Sequence, residues 1–201
     1  MVGTSLRFAT VVLPAPNARL VPFTMHYRAG FAEQKTKLAS ECQICKIRFM
    51  SIRVYADTSV FGGVFDAGID QASREFFAQV EEGRFELVTS NVVADELVSA
   101  PERVRLQFEN FLPSAHLVVP SSQALDLQQA YLKAGIVAAK WATDALHVAL
   151  AAVNRCKIIV SWNFKHIVHF DKIPLYNGVN LINGYDTLSI NTPAEVITYE
   201  D

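Results

Sequence analysis

The sequence of 201 residues has few cysteines, no long hydrophobic run and no excess of positive charge. Its three cysteines (Cys42, Cys45 and Cys156) cannot all pair within the chain, which excludes a disulfide framework and indicates a reducing, cytoplasmic setting. Because no apolar stretch reaches about eighteen residues, no membrane span is expected. Hydrophobic residues make up 51% and charged residues 19% of the chain, which is typical of a globular protein.

Several well-known functional patterns are also missing. The pair Cys42 and Cys45 has CxxC spacing, but a zinc site needs a second pair of ligands. No Cys/His or Ser/His/Asp signature is present, and Gly62-Gly63 is too short to be a phosphate-binding glycine loop. The net charge of −2 is unlike the basic balance of most nucleic-acid-binding proteins, although acidic residues that hold a metal ion would account for part of it.

The first 49 residues differ in composition from the rest. They include the proline-rich segment LPAPNARLVPF and carry seven basic residues against two acidic ones. We expect residues 1–49 to be a poorly ordered extension, one explanation being a start upstream of the natural one. We expect residues 50–201 to form a single folded domain.

From residue 52 onward, apolar strand-like runs alternate with helix-like segments. This alternation predicts an α/β fold, doubly wound, with a mostly parallel central sheet flanked by helices in three layers. The predicted strands are 52–56, 85–90, 116–119 and 157–161, and the predicted helices are 71–83, 91–100, 101–112, 121–135 and 143–155.

Acidic residues follow the predicted strands at corresponding places. Asp57 comes directly after the first strand, Glu96 lies in the helix after the second, and Asp144 begins the helix that leads to the fourth. In a parallel sheet, ligands bind beyond the carboxyl ends of the strands, so these side chains are expected at one edge. Clustered carboxylates repel one another, and a hard divalent cation such as Mg²⁺ or Mn²⁺ resolves that repulsion.

Each acid also has an ordinary structural explanation. Asp57 can cap a loop or a helix start, and Asp144 can complement a helix N-terminus. Glu96 can be a solvated helix residue, or the neighbouring Asp95 can take its place as ligand. Only the joint placement of the three acids favours a metal site.

Residues 52–170 resemble the PIN domain family, which includes the VapC-like ribonuclease toxins of bacterial toxin–antitoxin pairs. The resemblance rests on the segments IRVYADTSVFGG, TSNVVADELVSAP, TDALHVALAA and IIVSWNFKHI, in this order and spacing. It implies a Rossmann-like fold whose acids bind Mg²⁺ or Mn²⁺ and cleave RNA.

The resemblance also implies roles for particular residues. Asp57, Glu96 and Asp144 match the catalytic metal ligands, and Thr58 or Ser59 matches a hydroxyl that binds a ligand carboxylate or its water. After the fourth strand, many members have an Asn or Asp and, three residues on, another Asp. Asn163 and His166 stand at these positions here, so a fourth acid is absent, and both residues are candidates for orienting water or phosphate.

Aromatic and basic residues flank the predicted site. Trp141 and Trp162 are candidates for stacking on unpaired bases, and Lys140 and Lys165 for contacting the RNA backbone, with core packing and solvated surface as the ordinary alternatives. His147 lies one helical turn after Asp144 and is either its hydrogen-bonding partner or a core histidine.

The sequence therefore predicts a metal-dependent endoribonuclease, the toxin of a toxin–antitoxin pair, with a small antitoxin as partner and a homodimer as a further assembly. The Phe- and Val-rich helices between residues 71 and 112 are the predicted contact surface. One alternative is a degenerate PIN-like module that binds RNA or protein without catalysis. Another is a phosphatase or phosphotransferase with Asp57 as nucleophile, which Ser59 disfavours because such enzymes usually carry a second acid at that position.

Overall fold

The computed structural model describes residues 51–198. The predicted extension over residues 1–49 and the Cys42/Cys45 pair lie outside this range. The five strands are β1 (Ile52–Ala56), β2 (Phe85–Ser90), β3 (His116–Val118), β4 (Ile158–Val160) and β5 (Ser189–Asn191). The α-helices of the described range are α1 (Thr58–Gly63), α2 (Asp70–Glu81), α3 (Asn91–Leu97), α4 (Glu102–Phe111), α5 (Ser122–Lys133), α6 (Ala142–Val153), α7 (Ile173–Ile182) and α8 (Pro193–Val196).

The strands form one sheet in the order β3-β2-β1-β4-β5, and every pairing is parallel. Parallel neighbours need crossover connections, which the helices between consecutive strands supply. The chain moves from β1 through β2 to β3 on one side and then continues with β4 on the other side of β1. The predicted fold class is confirmed: the domain is a parallel α/β sheet flanked by helices.

The sheet has a separate apolar core on each face, because successive side chains of a strand point to opposite sides. Tyr55, Val88 and Ile159 belong to the core formed with α5, α6 and α7. Val54 and Leu87 belong to the opposite core, which is rich in phenylalanine from α2 and α4. β1 is therefore buried on both faces, which explains why IRVYA is nearly all apolar after its first two residues.

The Phe and Val side chains predicted to form a partner surface between residues 71 and 112 mostly lie in this second core. The buried ones on these helices are Phe76, Phe77, Val80, Val93, Val104, Phe108 and Phe111. That part of the prediction is wrong, because the helical stripe that these residues form is turned toward the sheet. Across the described range, no helix is both long and apolar enough to cross a membrane.

Candidate metal centre

The carboxyl ends of β1 and β4 meet at the point where the strand order reverses. Ala56 pairs with Val160, so the residues that follow, Asp57 and Ser161, come side by side. In open α/β sheets, ligands bind in the crevice at this switch point, because the helices on either side diverge there.

Asp57 is held by two serine hydroxyls. Ser59 Oγ donates to Asp57 Oδ1 over 2.6 Å, and Ser161 Oγ donates to Oδ2 over 2.7 Å. Each serine oxygen in turn accepts a backbone N–H of the loop after β4, from Trp162 to Ser59 (2.8 Å) and from Asn163 to Ser161 (2.9 Å). The carboxylate is thereby fixed to β1, α1 and the loop after β4 at once.

Burial dominates the electrostatics of Asp57, which is 4% exposed. Desolvation raises its pKa, while the charge of His147 and the hydroxyls of Ser59 and Ser161 lower it without cancelling the effect. The charge of Glu96 raises the pKa of Asp57 further. Without a cation, ionisation of this carboxyl group is therefore less favourable than in water.

Glu96 projects from α3 and is held through a single oxygen. Its Oε2 accepts a hydrogen bond from Thr58 Oγ1 and lies 3.2 Å from His147 Nε2. Partial burial alone would raise the pKa of Glu96, but the hydrogen bonds from His147 and Thr58 and the charge of His147 outweigh it and lower the pKa. The neighbouring Asp95 is exposed and makes no side-chain hydrogen bond or ion pair to any residue of the described range.

Asp144 lies in the first turn of α6 and is held by Asn163, whose Nδ2 donates to Asp144 Oδ1 over 2.7 Å. Burial raises the pKa of Asp144, His166 and His147 oppose this with their charges, and Glu96 raises it again. Asp57, Glu96 and Asp144 thus come from three different elements, and Glu96 raises the pKa of the other two.

The three acids suit a hard divalent cation by their chemistry. The atoms with which they can ligate a metal ion are all carboxylate oxygens, which Mg²⁺ and Mn²⁺ prefer. Oε1 of Glu96 and Oδ2 of Asp144 accept no hydrogen bond from any residue between 51 and 198, so each remains available to a ligand. In their present positions, however, no three His, Cys, Asp or Glu side chains of that range lie close enough together to hold a metal ion.

Asn163 and His166 both lie in the loop after β4. Asn163 Oδ1 accepts the backbone N–H of His166 over 3.0 Å, which shapes the loop after β4. His166 is buried; its Nδ1 lies 3.1 Å from Lys172 Nζ, and its Nε2 has no hydrogen-bond partner in the described part of the chain. Burial, and then the charge of Lys172, lower the pKa of His166.

The two tryptophans both have protein partners. The Trp141 ring packs against His166 with 4.4 Å between centroids, and the Nζ atoms of Lys140 and Lys165 lie 5.4 and 5.0 Å from its centre. Trp162 Nε1 donates to Ser73 Oγ over 2.9 Å, beside the closely packed Gly63.

Phe164, which sequence reasoning did not single out, is an exposed aromatic of this loop, at 57%. Sequence reasoning also assigned no role to Ser161. The signal for Ser161 is the parallel register of β1 and β4, which cannot be read from either strand alone.

Comparison with known proteins identifies the family of the chain. No curated protein matches the chain. Among solved structures, a chain in the crystal structure of VapBC2 from Rickettsia felis bound to a DNA fragment from their promoter is similar to this chain, with 14% identity and a TM-score of 0.47. That similarity covers 70% of this chain and 98% of the other. The profile of the PIN domain family matches residues 54–173, which is more than half of the sequence and includes all three acids. The chain belongs to the PIN domain family.

Proposed function

We propose that this protein is a Mg²⁺- or Mn²⁺-dependent endoribonuclease that hydrolyses phosphodiester bonds in RNA. The observation that supports the proposal is that Asp57 lies at the strand-order switch point of a PIN-family fold and that the charge of Glu96 acts on both Asp57 and Asp144. Membership of a family whose members are generally nucleases supports the same reaction.

In this proposal the three acids are the metal ligands and the catalytic residues. A divalent ion held there would lower the pKa of a water molecule and neutralise charge on the phosphate. Ser59 and Ser161 keep the Asp57 carboxylate immobile, because each serine is itself anchored by a backbone N–H. A hydrogen bond from Thr58 holds the Glu96 carboxylate, and a hydrogen bond from Asn163 holds the Asp144 carboxylate.

The absence of a fourth acid favours a single metal ion in this proposal. Asn163 and His166 are neutral at the positions where further carboxylates would help to hold a second ion. The side-chain N–H of Asn163 donates to Asp144. This contact orients the Asp144 carboxylate and does not supply a further metal ligand.

RNA would approach over the lysines beside the acids. Lys140 and Lys165 both lie beside the Trp141 ring, in the segments of the sequence that carry Asp144 and Asn163, and such cations bind the phosphate backbone. Trp141 and Trp162 remain predicted RNA contacts. Phe164 is added to them, since its exposed ring can stack on an unpaired base.

We further propose that the protein is the toxin of a toxin–antitoxin pair, in which a small antitoxin binds it, and that residues 50–201 form the nuclease domain. Copurification with the product of a short reading frame directly preceding the gene tests the partner. Size-exclusion chromatography with light scattering tests the homodimer. A monomer that no such product binds would contradict both.

RNA cleavage with Mg²⁺ tests the enzymatic proposal. The wild type should cleave, and Asp57→Asn and Asp144→Asn should each reduce the rate by at least about 100-fold, because removal of one ligand leaves the remaining carboxylates without a properly held cation. Asp126→Asn is the matched control, since Asp126 is an exposed acid on α5. Equal cleavage by all four proteins would refute the assigned site.

One observation favours a second candidate, a PIN-like binding module without catalysis. The acids do not stand close enough together to hold a metal ion as they are, and no fourth acid assists them. Mn²⁺ titration separates the two candidates. Binding by the wild type that Asp57→Asn abolishes supports the nuclease, whereas no binding by either protein supports the module.

A further inference from the structure

A buried chain of hydrogen bonds leads from the start of α3 to Glu96 near its end. Ser90 Oγ lies 2.7 Å from Tyr55 Oη, which lies 2.8 Å from His147 Nδ1. On the other side of the ring, His147 Nε2 lies 3.2 Å from Glu96 Oε2. Ser90, Tyr55 and His147 are all buried, so water does not compete for these contacts.

The chemistry of Glu96 fixes the direction of the last link. An ionised carboxylate has no hydrogen to donate, so His147 Nε2 must carry the proton and donate it to Glu96. Tyr55 lies in the core, where burial raises its pKa far above neutrality, so it keeps its hydroxyl hydrogen. In the neutral ring, that hydrogen is donated to His147 Nδ1, and the hydroxyl of Ser90 can donate to Tyr55 in turn.

Both ends of this hydrogen-bonded chain lie at α3: Ser90 precedes the helix and Glu96 belongs to it. Ser90 is the N-cap of this helix and accepts the backbone N–H of Val93 over 3.3 Å. Glu96 lies one residue before the helix ends. Tyr55 on β1 and His147 on α6 therefore tie the helix to the sheet and to the helix that carries Asp144.

The same contacts decide which oxygen of Glu96 remains available. Thr58 and His147 both bind Oε2, and Oε1 makes no hydrogen bond within the described range. A glutamate on a short, partly exposed helix has several rotamers, and two donors on one oxygen select among them.

We propose that His147, backed by Tyr55 and Ser90, is a positioning residue that presents Oε1 of Glu96 to the metal ion. This inference rests on the proposed function. It differs from the sequence-based expectation for His147, which made it a partner of Asp144 or a core residue. A histidine that only filled the core would not need a donor aimed at a partly exposed carboxylate.

The test is the dissociation constant for Mn²⁺, measured by electron paramagnetic resonance on the metal-free protein. His147→Leu keeps the volume but removes the donor, and affinity should fall about 10–100-fold, the usual cost of losing an outer hydrogen bond to a ligand. His147→Gln places an amide N–H near the former Nε2 and should restore most of the affinity. Tyr55→Phe should weaken binding less and have no further effect in the His147→Leu background.

Two further measurements separate positioning from folding. Circular dichroism and thermal unfolding identify any variant that is not folded, and His147→Gln and Tyr55→Phe then carry the test. Nitrogen-15 NMR of the metal-free wild type should show the His147 Nε2 atom bearing a proton.

Three results would overturn the proposal. A folded His147→Leu variant that binds Mn²⁺ within about twofold of the wild type would do so, as would a His147→Gln variant no better than Leu, or an unprotonated Nε2. If Asp57→Asn abolishes Mn²⁺ binding while His147→Leu does not, only the positioning role is lost. A wild type that binds no Mn²⁺ overturns the proposed function as well.

Discussion

Asp57 and Ser161 lie at the ends of neighbouring parallel strands, and the serine hydroxyl reaches the aspartate Oδ2 over 2.7 Å. The contact joins the first strand of the domain to the fourth, 104 residues later. The candidate centre therefore does not exist in any local segment of the chain, and it forms only when β4 pairs with β1.

The first prediction concerns pH and the stability of the metal-free protein. Burial raises the pKa of Asp57 above 3.8, the ordinary value, so the folded state holds this proton more tightly than the unfolded chain. The stabilisation by that proton is fully present below the ordinary pKa and is lost as the pH rises through the raised one. Asp57→Asn does not titrate, so the wild type should lose stability relative to this variant between about pH 4 and neutrality.

Urea unfolding with a chelator present, repeated across this pH range, measures the difference. Asp126→Asn is the control and should differ from the wild type by a constant amount. A wild type whose stability stays constant or rises relative to Asp57→Asn as the pH increases would contradict the prediction. Added Mn²⁺ should raise the stability of the wild type relative to Asp57→Asn, because a ligand at about 100 times its dissociation constant stabilises the folded state by about 2.7 kcal/mol.

The second prediction separates two neighbouring acids on α3. Glu96→Gln should lose most cleavage activity and Mn²⁺ affinity, since Glu96 contacts both Thr58 and His147. Asp95→Asn should retain both, because Asp95 is exposed and its side chain makes no such contact within the described range. Calorimetric titration with Mn²⁺ measures the affinity. If Asp95→Asn loses binding and Glu96→Gln keeps it, Asp95 is the metal ligand and Glu96 is not.

The third prediction uses the adjacent glycines of α1. A Cβ at Gly63 would lie 2.7 Å from both Ser73 Oγ and Trp162 Nε1, whereas a Cβ at Gly62 would meet nothing within 4 Å. Gly63→Ala should therefore destabilise the protein by about 1–3 kcal/mol through overpacking. Gly62→Ala should be neutral or stabilising by up to about 1 kcal/mol, because alanine favours the helix.

Thermal unfolding compares the two alanine variants, and tryptophan fluorescence reports on Trp162. A shifted emission spectrum is expected only for Gly63→Ala. If the two variants behave alike, the close packing of Trp162 on α1 is not as described.

The fourth prediction concerns RNA binding. Lys165→Ala and Lys140→Ala should each weaken binding of a single-stranded RNA and lower the slope of log affinity against log salt by roughly one. Lys157→Ala is the control, because Lys157 precedes β4 at the opposite edge of the sheet and pairs with Asp186. All of these proteins also carry Asp57→Asn, so that the RNA is not cleaved during the measurement. Unchanged slopes for both lysine variants would place the RNA elsewhere.

The sequence predicted the first part of the sheet well and its end poorly. The bounds of β1 and β2 agree with the predicted strands because both are β-branched apolar runs covered on two faces. β5 was not predicted, since SIN is three residues long and only Ile190 is apolar and buried. α7 was not predicted either, because IPLYNGVNLI mixes asparagine and glycine with apolar residues that mostly do not face the core.

The site shows a similar division. The positions of Asp57 and Asp144 relative to the strands were predicted, because the chain order of a doubly wound sheet determines them. The contact of His147 with Glu96 was not, since it depends on how α6 lies against β2 and α3. The resemblance implied that Thr58 or Ser59 binds a ligand carboxylate, but not which acid each one binds. That choice depends on the turn into α1, where TSVFGG forms a helix that the sequence did not predict.

The different anchoring of Asp57 and Glu96 has a consequence for hydrogen exchange. β1 is the central strand and both of its faces are covered, so its amides should open only with the whole domain. α3 has seven residues, only two of them buried, and such a segment can open by itself. We therefore expect the amides of α3 to exchange faster than those next to Asp57. Opening of this one helix would withdraw Glu96 and inactivate the centre while the rest of the domain stayed folded.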